Sequence, residues 1–130
     1  MKPVKVLHVH EVEKEAFYFS NLADHTKSDE FELSFVSFAP AGDFFRSMEE
    51  RGLKVYSLGS IRGRGFLRSA KDLRSVFQIH EPDIVHTHLM NPTLLGLNLA
   101  KWQGRKSVLT RHHSDAIHQL PSRLKRHFYL

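Results

Sequence analysis

The chain has 130 residues, the length of one domain, and its hydrophobic and charged fractions of 41% and 25% are those of an ordinary globular protein. It contains no cysteine, which excludes disulfides and thiol catalysis, and no apolar run approaches the ~20 residues of a membrane span. The net charge of +5 allows an anionic partner, but dense basic residues occur only at 62–68 and 123–127, which does not favour nucleic acid. We therefore expect a cytoplasmic protein, with an anionic membrane surface as a candidate peripheral partner.

Five short runs rich in valine, leucine, isoleucine and phenylalanine predict strands that are buried on both faces. They are VKVLHV (4–9), FELSFVSF (31–38), KVYSL (54–58), DIVHTH (83–88) and SVLTR (107–111). Segments with helical character follow the strands, at 14–26, 42–52, 66–80, 91–104 and 121–130. This alternation predicts an α/β fold, a Rossmann-like doubly wound parallel sheet of about five strands with flanking helices.

Local signals place several helix ends. Gly52 and Gly104 are predicted C-terminal stops, while Asn91 is a predicted N-cap with Pro92 at the first helical position. The segment RGRGF (62–66) is interpreted as a flexible connector in which both glycines are turn residues. The last predicted helix ends at Leu130 without a stop signal, so we expect the chain to be a fragment of a longer protein.

Polar clusters follow the fourth and fifth predicted strands. His86 and His88 are two residues apart and therefore share one face, with His86 the deeper and His88 at the mouth. A second cluster comprises Arg111, His112, His113, Ser114 and Asp115. Ligands of open α/β sheets bind outside the carboxyl ends of the strands, so these residues are candidates for substrate binding. The alternative for His86 is a buried neutral histidine that is hydrogen-bonded to the backbone. The alternatives for Asn91 are a helix cap and a residue at an anion-binding helix N-terminus.

A metal site is a weaker interpretation of the same residues. His86 and His88 could face one ion, with His112 or Asp115 completing the shell. No HExxH spacing occurs, however, and Arg111 would oppose a cation, so we expect no metal. His8, His25 and His127 are interpreted as incidental.

The clusters resemble a known family. Aspartate, two hydrophobic residues and H-x-H in DIVHTH, followed by the helix NPTLLGLNLAKWQG (91–104), are similar to the N-terminal half of family 4 glycosyltransferases. The same holds for Thr110, Arg111 and His112 as the T-x-H that ends the fifth strand, for the opening KVLHV and for ERGLKVYSLG (50–59). The resemblance covers nearly the whole chain.

This resemblance implies one half of a GT-B architecture, in which two Rossmann-like domains face each other across a cleft. It implies that residues 1–130 bind the acceptor, while a C-terminal domain, absent from this sequence, binds a nucleotide sugar. It also implies sugar transfer with retention and without a metal ion. His112 takes the place beside the reacting sugar, and His88 falls on the cleft rim. Arg111, His113 and Asp115 are expected to line the acceptor cleft.

Two departures limit this expectation. The family commonly has a glycine pair after the first strand, where the chain reads HEVEKEAF (10–17), and its glutamates would repel a diphosphate. The donor-binding half is also missing, so the isolated chain should not turn over a nucleotide sugar. The alternative function is a non-catalytic Rossmann-like module that binds sugar or phosphate. A nucleotide-binding domain working alone is less favoured, because no G-x-G-x-x-G follows the first strand.

Overall fold

The computed structural model of the protein describes residues 2–14 and 16–110. Its five strands are β1 (Val4–His10), β2 (Phe31–Ser37), β3 (Lys54–Ser57), β4 (Ile84–His88) and β5 (Lys106–Thr110). Its five helices are α1 (Phe17–His25), α2 (Asp43–Glu50), α3 (Ile61–Arg64), α4 (Phe66–His80) and α5 (Met90–Trp102). All five predicted strands are present, and the bounds of α4 are those predicted.

The strands form one parallel sheet in the order β3-β2-β1-β4-β5. The chain moves from β1 outward to β3, then returns to the other side of β1 and continues from β4 to β5. This order confirms the predicted Rossmann-like doubly wound α/β fold. It also puts the switch in strand order between β1 and β4, where such folds bind their ligands.

Each face of the sheet carries its own apolar cluster. One cluster joins the sheet to α4 and α5 and has Leu7, Val9, Val85, Leu73, Phe77 and Leu95 among its members. The other joins it to α1 and α2 and has Val6, Phe19, Leu33, Phe35, Phe44 and Met48 among its members. Because successive strand residues point to opposite faces, strands buried on both sides must be apolar nearly throughout, as the sequence pattern indicated.

The start of α5 differs from the prediction. The N-cap is Leu89, with φ 71°, and the helix begins at Met90, so Asn91 lies in the first turn and does not cap it. The positive φ of Leu89 turns the chain into the helix directly after β4. The Asn91 side chain instead forms a hydrogen bond with Glu11. The predicted N-cap at Asn91 and the first helical position at Pro92 are therefore wrong.

The segment after β3 also differs from the prediction. Part of the expected flexible connector is the short helix α3, whose Ser60 side chain accepts a hydrogen bond from the Gly63 backbone N–H at 3.3 Å. Gly65, with φ 90°, separates α3 from α4, so only this second glycine is a turn residue. Gly52 and Gly104 have φ of 76° and 70° just past α2 and α5, as predicted for helix stops. The predicted helix at 121–130 lies outside the described residues.

Candidate functional site

Four histidines line one face of the two central strands. His8 and His10 lie on β1, His86 and His88 lie on β4, and His8 pairs with His86 across the parallel ladder. Alternation places all four side chains on the α1 and α2 side of the sheet. They occupy the carboxyl halves of the strands that flank the switch point. Two H-x-H sequences on adjacent strands thus form a ladder of imidazoles at the expected ligand-binding edge.

Three of these rings form a compact stack. The His8 Nδ1 and His88 Nε2 atoms are 3.0 Å apart and share a hydrogen bond. The His86 and His88 ring centroids are 4.2 Å apart with an interplanar angle of 22°, and those of His8 and His86 are 4.8 Å apart. Each ring therefore fixes the orientation of the other two.

Burial sets the charge of the two β1 histidines. Burial, with charge repulsion from His86 and His10 as lesser causes, lowers the pKa of His8 from 6.5 to about 3. Burial alone lowers the pKa of His10 to about 3 as well. Both rings are therefore neutral near pH 7. Because His8 is neutral, one of its ring nitrogens donates and the other accepts, so its tautomer is tied to whether the His88 Nε2 carries a proton.

His86 and His88 differ in depth, in the order opposite to that expected. The His88 side chain is fully buried, whereas His86 is half-buried and its Nε2 lies 2.6 Å from the Thr110 hydroxyl of β5. His88 therefore lies beneath the surface of the rim, because Tyr18 and Phe19 of α1 pack against its ring. The structure brings Thr110, the first residue of the predicted T-x-H, into the cluster through His86.

His10 lies deeper in an aromatic wall. Its ring is 4.4 Å from the Phe44 ring and 4.6 Å from the Phe19 ring, centroid to centroid. Its Nδ1 accepts the Val12 backbone N–H at 3.0 Å, so its Nε2 carries the proton. That Nε2 is buried with no hydrogen-bond partner among the described residues. The contacts give His10 a structural role in holding the start of the loop that follows β1.

Sequence reasoning missed the β1 histidines. His8 was interpreted as incidental, yet it is hydrogen-bonded to His88 and stacked on Phe35. The available signal was the repeated pattern, since HVH (8–10) ends the first strand as HTH (86–88) ends the fourth. Tyr18 was missed as well, because only the fold shows that α1 passes over β4.

The loop after β1 brings an acid to the N-terminus of α5. Glu11 is half-buried, burial raises its pKa, and a hydrogen bond from the Asn91 side chain opposes that shift. Asn91 itself is exposed in the first turn of α5. A carboxylate of the chain thus lies where the free N–H groups of α5 would otherwise attract an anionic ligand.

The second predicted cluster lies outside the described residues. It comprises Arg111, His112, His113, Ser114 and Asp115, and the roles expected of these residues remain predictions. Thr110, the last described residue, contacts His86.

His8, His86 and His88 are also a group whose nitrogen atoms could hold a metal, because these atoms lie within 4.8 Å of one another among the described residues. A zinc ion needs nitrogen lone pairs that converge on one point at ~2.0–2.1 Å. The rings are stacked on one another, and the bond between His8 and His88 already occupies one nitrogen of each. This geometry fits a hydrogen-bonded stack better than a coordination shell. The expected absence of a metal remains a prediction.

Comparison with known proteins connects this site to a family. Among proteins of curated function, none matches the sequence at a significant level. Among solved structures, the fold is similar to a 2.2 Å crystal structure of a protein assigned as a UDP-N-acetylglucosamine 2-epimerase from Listeria monocytogenes, with a TM-score of 0.64. The two share 17% identity over 97% of this chain, so the likeness shows the fold alone, and the chain spans only 36% of the length of that structure.

The sequence itself matches a family. The model of Glycosyltransferase Family 4 covers residues 16–130, which include α1, the H-x-H of β4, all of β5 and the predicted T-x-H. No helix among the described residues is long and apolar enough to cross a membrane. With 115 of its 130 residues inside the matched segment, the chain belongs to Glycosyltransferase Family 4.

Proposed function

We propose that the chain is the acceptor-binding half of a retaining glycosyltransferase, which transfers a sugar from a nucleotide sugar to an acceptor hydroxyl. The observation that carries this proposal is the imidazole ladder of β1 and β4 at the switch point of a family 4 fold. Histidines donate and accept hydrogen bonds near neutral pH, which suits the many hydroxyls of a sugar or another polyol.

The reaction sets what the site must do. The acceptor oxygen forms a bond to the anomeric carbon, the bond from that carbon to the diphosphate oxygen breaks, and the acceptor proton passes to the departing diphosphate. The transition state resembles an oxocarbenium ion while negative charge grows on the leaving group. Groups that orient the acceptor and stabilise this charge accelerate the step. The step is proposed to proceed without a metal ion bound by the chain.

The residues divide between the reacting centre and the acceptor. His112 is proposed beside the transferred sugar. The residues proposed to contact the acceptor are His86, Asn91, Arg111, His113 and Asp115. His88, predicted as a contact residue, is buried beneath the rim and is proposed instead to position His86, on whose ring it stacks. His8 is proposed as a positioning residue, because its hydrogen bond orients His88. We further propose that a second domain binds the donor and that the chain alone does not turn over a nucleotide sugar.

The proposal is tested by nitrogen-15 chemical-shift titration of the 130-residue chain. The probes are UDP-glucose, UDP, glucose 1-phosphate and zinc chloride. We expect glucose 1-phosphate and UDP-glucose to shift the resonances of His86, His88 and residues 111–115, because the acceptor side recognises sugar hydroxyls. UDP alone should leave them unchanged.

Matched variants give the titration its control. His86→Ala should remove the sugar-induced shifts, whereas His25→Ala, at the exposed end of α1, should keep them. Shifts caused equally by UDP would assign nucleotide binding to this half and contradict the proposal. Zinc shifts at the ladder would contradict a metal-free site.

The role of His112 requires a protein that joins this chain to a donor-binding domain. His112→Ala should lower kcat by about 100-fold or more while changing the thermal midpoint little. A kcat within about threefold of wild type, or less than about 1 kcal/mol in the barrier, contradicts the role.

A second candidate is a sugar-binding module without transferase activity. Glu11 favours it, because this carboxylate and its bond to Asn91 stand where the family commonly brings glycine backbone to the donor phosphates. In the joined protein, Glu11→Gly should then leave turnover absent, while the isolated chain still binds glucose 1-phosphate. Turnover in the unmodified joined protein excludes this candidate.

A further inference from the structure

The positive charge of the chain is concentrated on three helices. Helices α3, α4 and α5 contain one acidic residue and six basic ones: Asp72 against Arg62, Arg64, Arg68, Lys71, Arg74 and Lys101. Their net charge of +5 equals that of the whole chain, so the remaining segments, with thirteen basic and thirteen acidic residues, sum to zero. Asp72 is paired with Arg64 at 2.9 Å, which leaves the other five cations as the charge that this surface presents.

Large apolar side chains project from the same helices. Leu67 is 84% exposed and Phe66 is 54% exposed in the first turn of α4, where residues 62–68 are exposed without interruption. Trp102, at the end of α5, is 72% exposed. Neither sheet cluster contains any of these three residues, so they contribute little to the core.

These features form one surface. On α4, Leu67, Lys71 and Arg74 follow one another at spacings of four and three residues, on the side away from the buried Leu73. They extend roughly 10 Å along the helix axis. The Arg74 guanidinium then lies 5.6 Å from the centroid of the Trp102 ring, which connects the face of α4 to the end of α5.

We propose that this basic and apolar surface of α3, α4 and α5 docks the protein peripherally on an anionic phospholipid bilayer. Arginine and lysine are attracted to anionic head groups, while tryptophan, phenylalanine and leucine enter the boundary between head groups and acyl chains. The exposed leucine and phenylalanine distinguish this partner from nucleic acid, whose backbone is bound by charge and hydrogen bonds.

The orientation is compatible with the candidate site. The docking helices α4 and α5 pack on one face of the sheet, and the histidine ladder lies on the other. The N-terminus of α4 also lies at the carboxyl edge of the sheet, because α3 and α4 follow the end of β3. A docked molecule thus leaves the face of the sheet that carries the ladder turned away from the bilayer, while its carboxyl edge stays close to the membrane.

The test measures partition of the 130-residue chain onto large unilamellar vesicles. One set contains phosphatidylcholine alone, and in the other about a third of the lipid is phosphatidylglycerol. Binding is followed by co-sedimentation and by the emission of Trp102, the single tryptophan of the chain. We expect binding to the anionic vesicles with a blue shift of Trp102, and at least ~tenfold weaker binding to the neutral ones. Raising the salt from about 0.1 M to about 0.5 M should weaken binding.

Paired variants distinguish docking through this surface from non-specific adsorption to vesicles. The double variant Phe66→Ser and Leu67→Ser should weaken anionic binding about tenfold or more, because both side chains are exposed and their loss leaves the core intact. The control removes an exposed apolar group and an exposed cation elsewhere, Phe17→Ser and Lys27→Gln, and should bind like wild type. Circular dichroism confirms that both variants are folded.

Four outcomes overturn the proposal. They are equal binding to neutral and anionic vesicles, absence of binding to the anionic ones, equal loss in the control variant, and Trp102 emission unchanged by bound vesicles. Tighter binding to a DNA duplex than to anionic vesicles would assign the surface to nucleic acid instead.

Discussion

Acidification should destabilise this fold through its buried histidines. His8 and His10 have a pKa of 6.5 when unfolded and about 3 when folded. Below pH 6.5 these two histidines are therefore protonated in the unfolded chain, whereas in the folded chain they stay neutral down to about pH 3. The stabilising contribution of each neutral ring is complete above about pH 6.5 and is lost progressively as the pH falls toward 3.

The magnitude follows from the shift. At about pH 5 each histidine accounts for a loss of about 2 kcal/mol relative to neutral pH, and the two together for about 4 kcal/mol. A typical domain has a stability of about 5–15 kcal/mol, so this loss is a large fraction of the total. The resulting shift of the urea midpoint should be several times the error of the measurement.

The assay is urea unfolding, followed by circular dichroism at several values of pH between about 5 and 7.5. The informative variant is His10→Asn, whose side-chain oxygen can accept the Val12 N–H that the His10 Nδ1 accepts now. It should be less stable than wild type at neutral pH because it leaves a cavity. Its slope of stability against pH should be lower by about 1.4 kcal/mol per unit near pH 5. His25→Asn, at an exposed site, is the matched control. If His10→Asn keeps the wild-type slope, burial of a neutral His10 is not the cause.

Three further predictions concern unfolding free energies measured by urea titration at neutral pH. A Cβ added at Gly96 would lie 2.8 Å from Cγ2 of Thr87, so Gly96→Ala should destabilise by about 1–3 kcal/mol, and adding Thr87→Ser, which removes that methyl, should recover part of the loss. Failure of this rescue would show that the contact is not limiting. Glu81 ends α4 with φ 47°, so Glu81→Asn should be more stable than Glu81→Val by about 1 kcal/mol, and the reverse order would contradict a left-handed cap. Arg105 donates to the carbonyl of Pro82 at 2.9 Å and reaches two further acceptors, so Arg105→Lys should cost about 1–2 kcal/mol, and a neutral effect would argue against the forked contact.

The sheet was predictable because burial of its strands depends directly on which residue types they contain. Strands such as β1 and β2 are buried on both faces, and only an apolar run satisfies that requirement. Helix α4 was predictable because Gly65 precedes its first residue and because Leu73 and Phe77 recur on one face of it. Its left-handed cap at Glu81 carries no comparable signal.

The site was predictable only in part. Position at the carboxyl end of β4 was sufficient to select His86 and His88, but the partners of these rings come from distant segments. His8 joins them because strand order puts β1 beside β4, which is a property of the whole fold. The N-cap of α5 at Leu89 was missed because a positive φ in leucine is imposed by the surrounding structure and has no signature in the residue itself.

The close approach of Gly96 to Thr87 has a mechanical meaning for the ladder. The histidines of β4 project from one side of the strand, while Thr87, between them, presses its methyl against the bare backbone of α5 on the other. Strands β1 and β5 are hydrogen-bonded along the two edges of β4, and α5 packs on one of its faces. The backbone of β4 is therefore constrained on three sides. We therefore expect the positions of its histidines to change little when a ligand binds. Any conformational adjustment should occur in the loops that follow the strand ends.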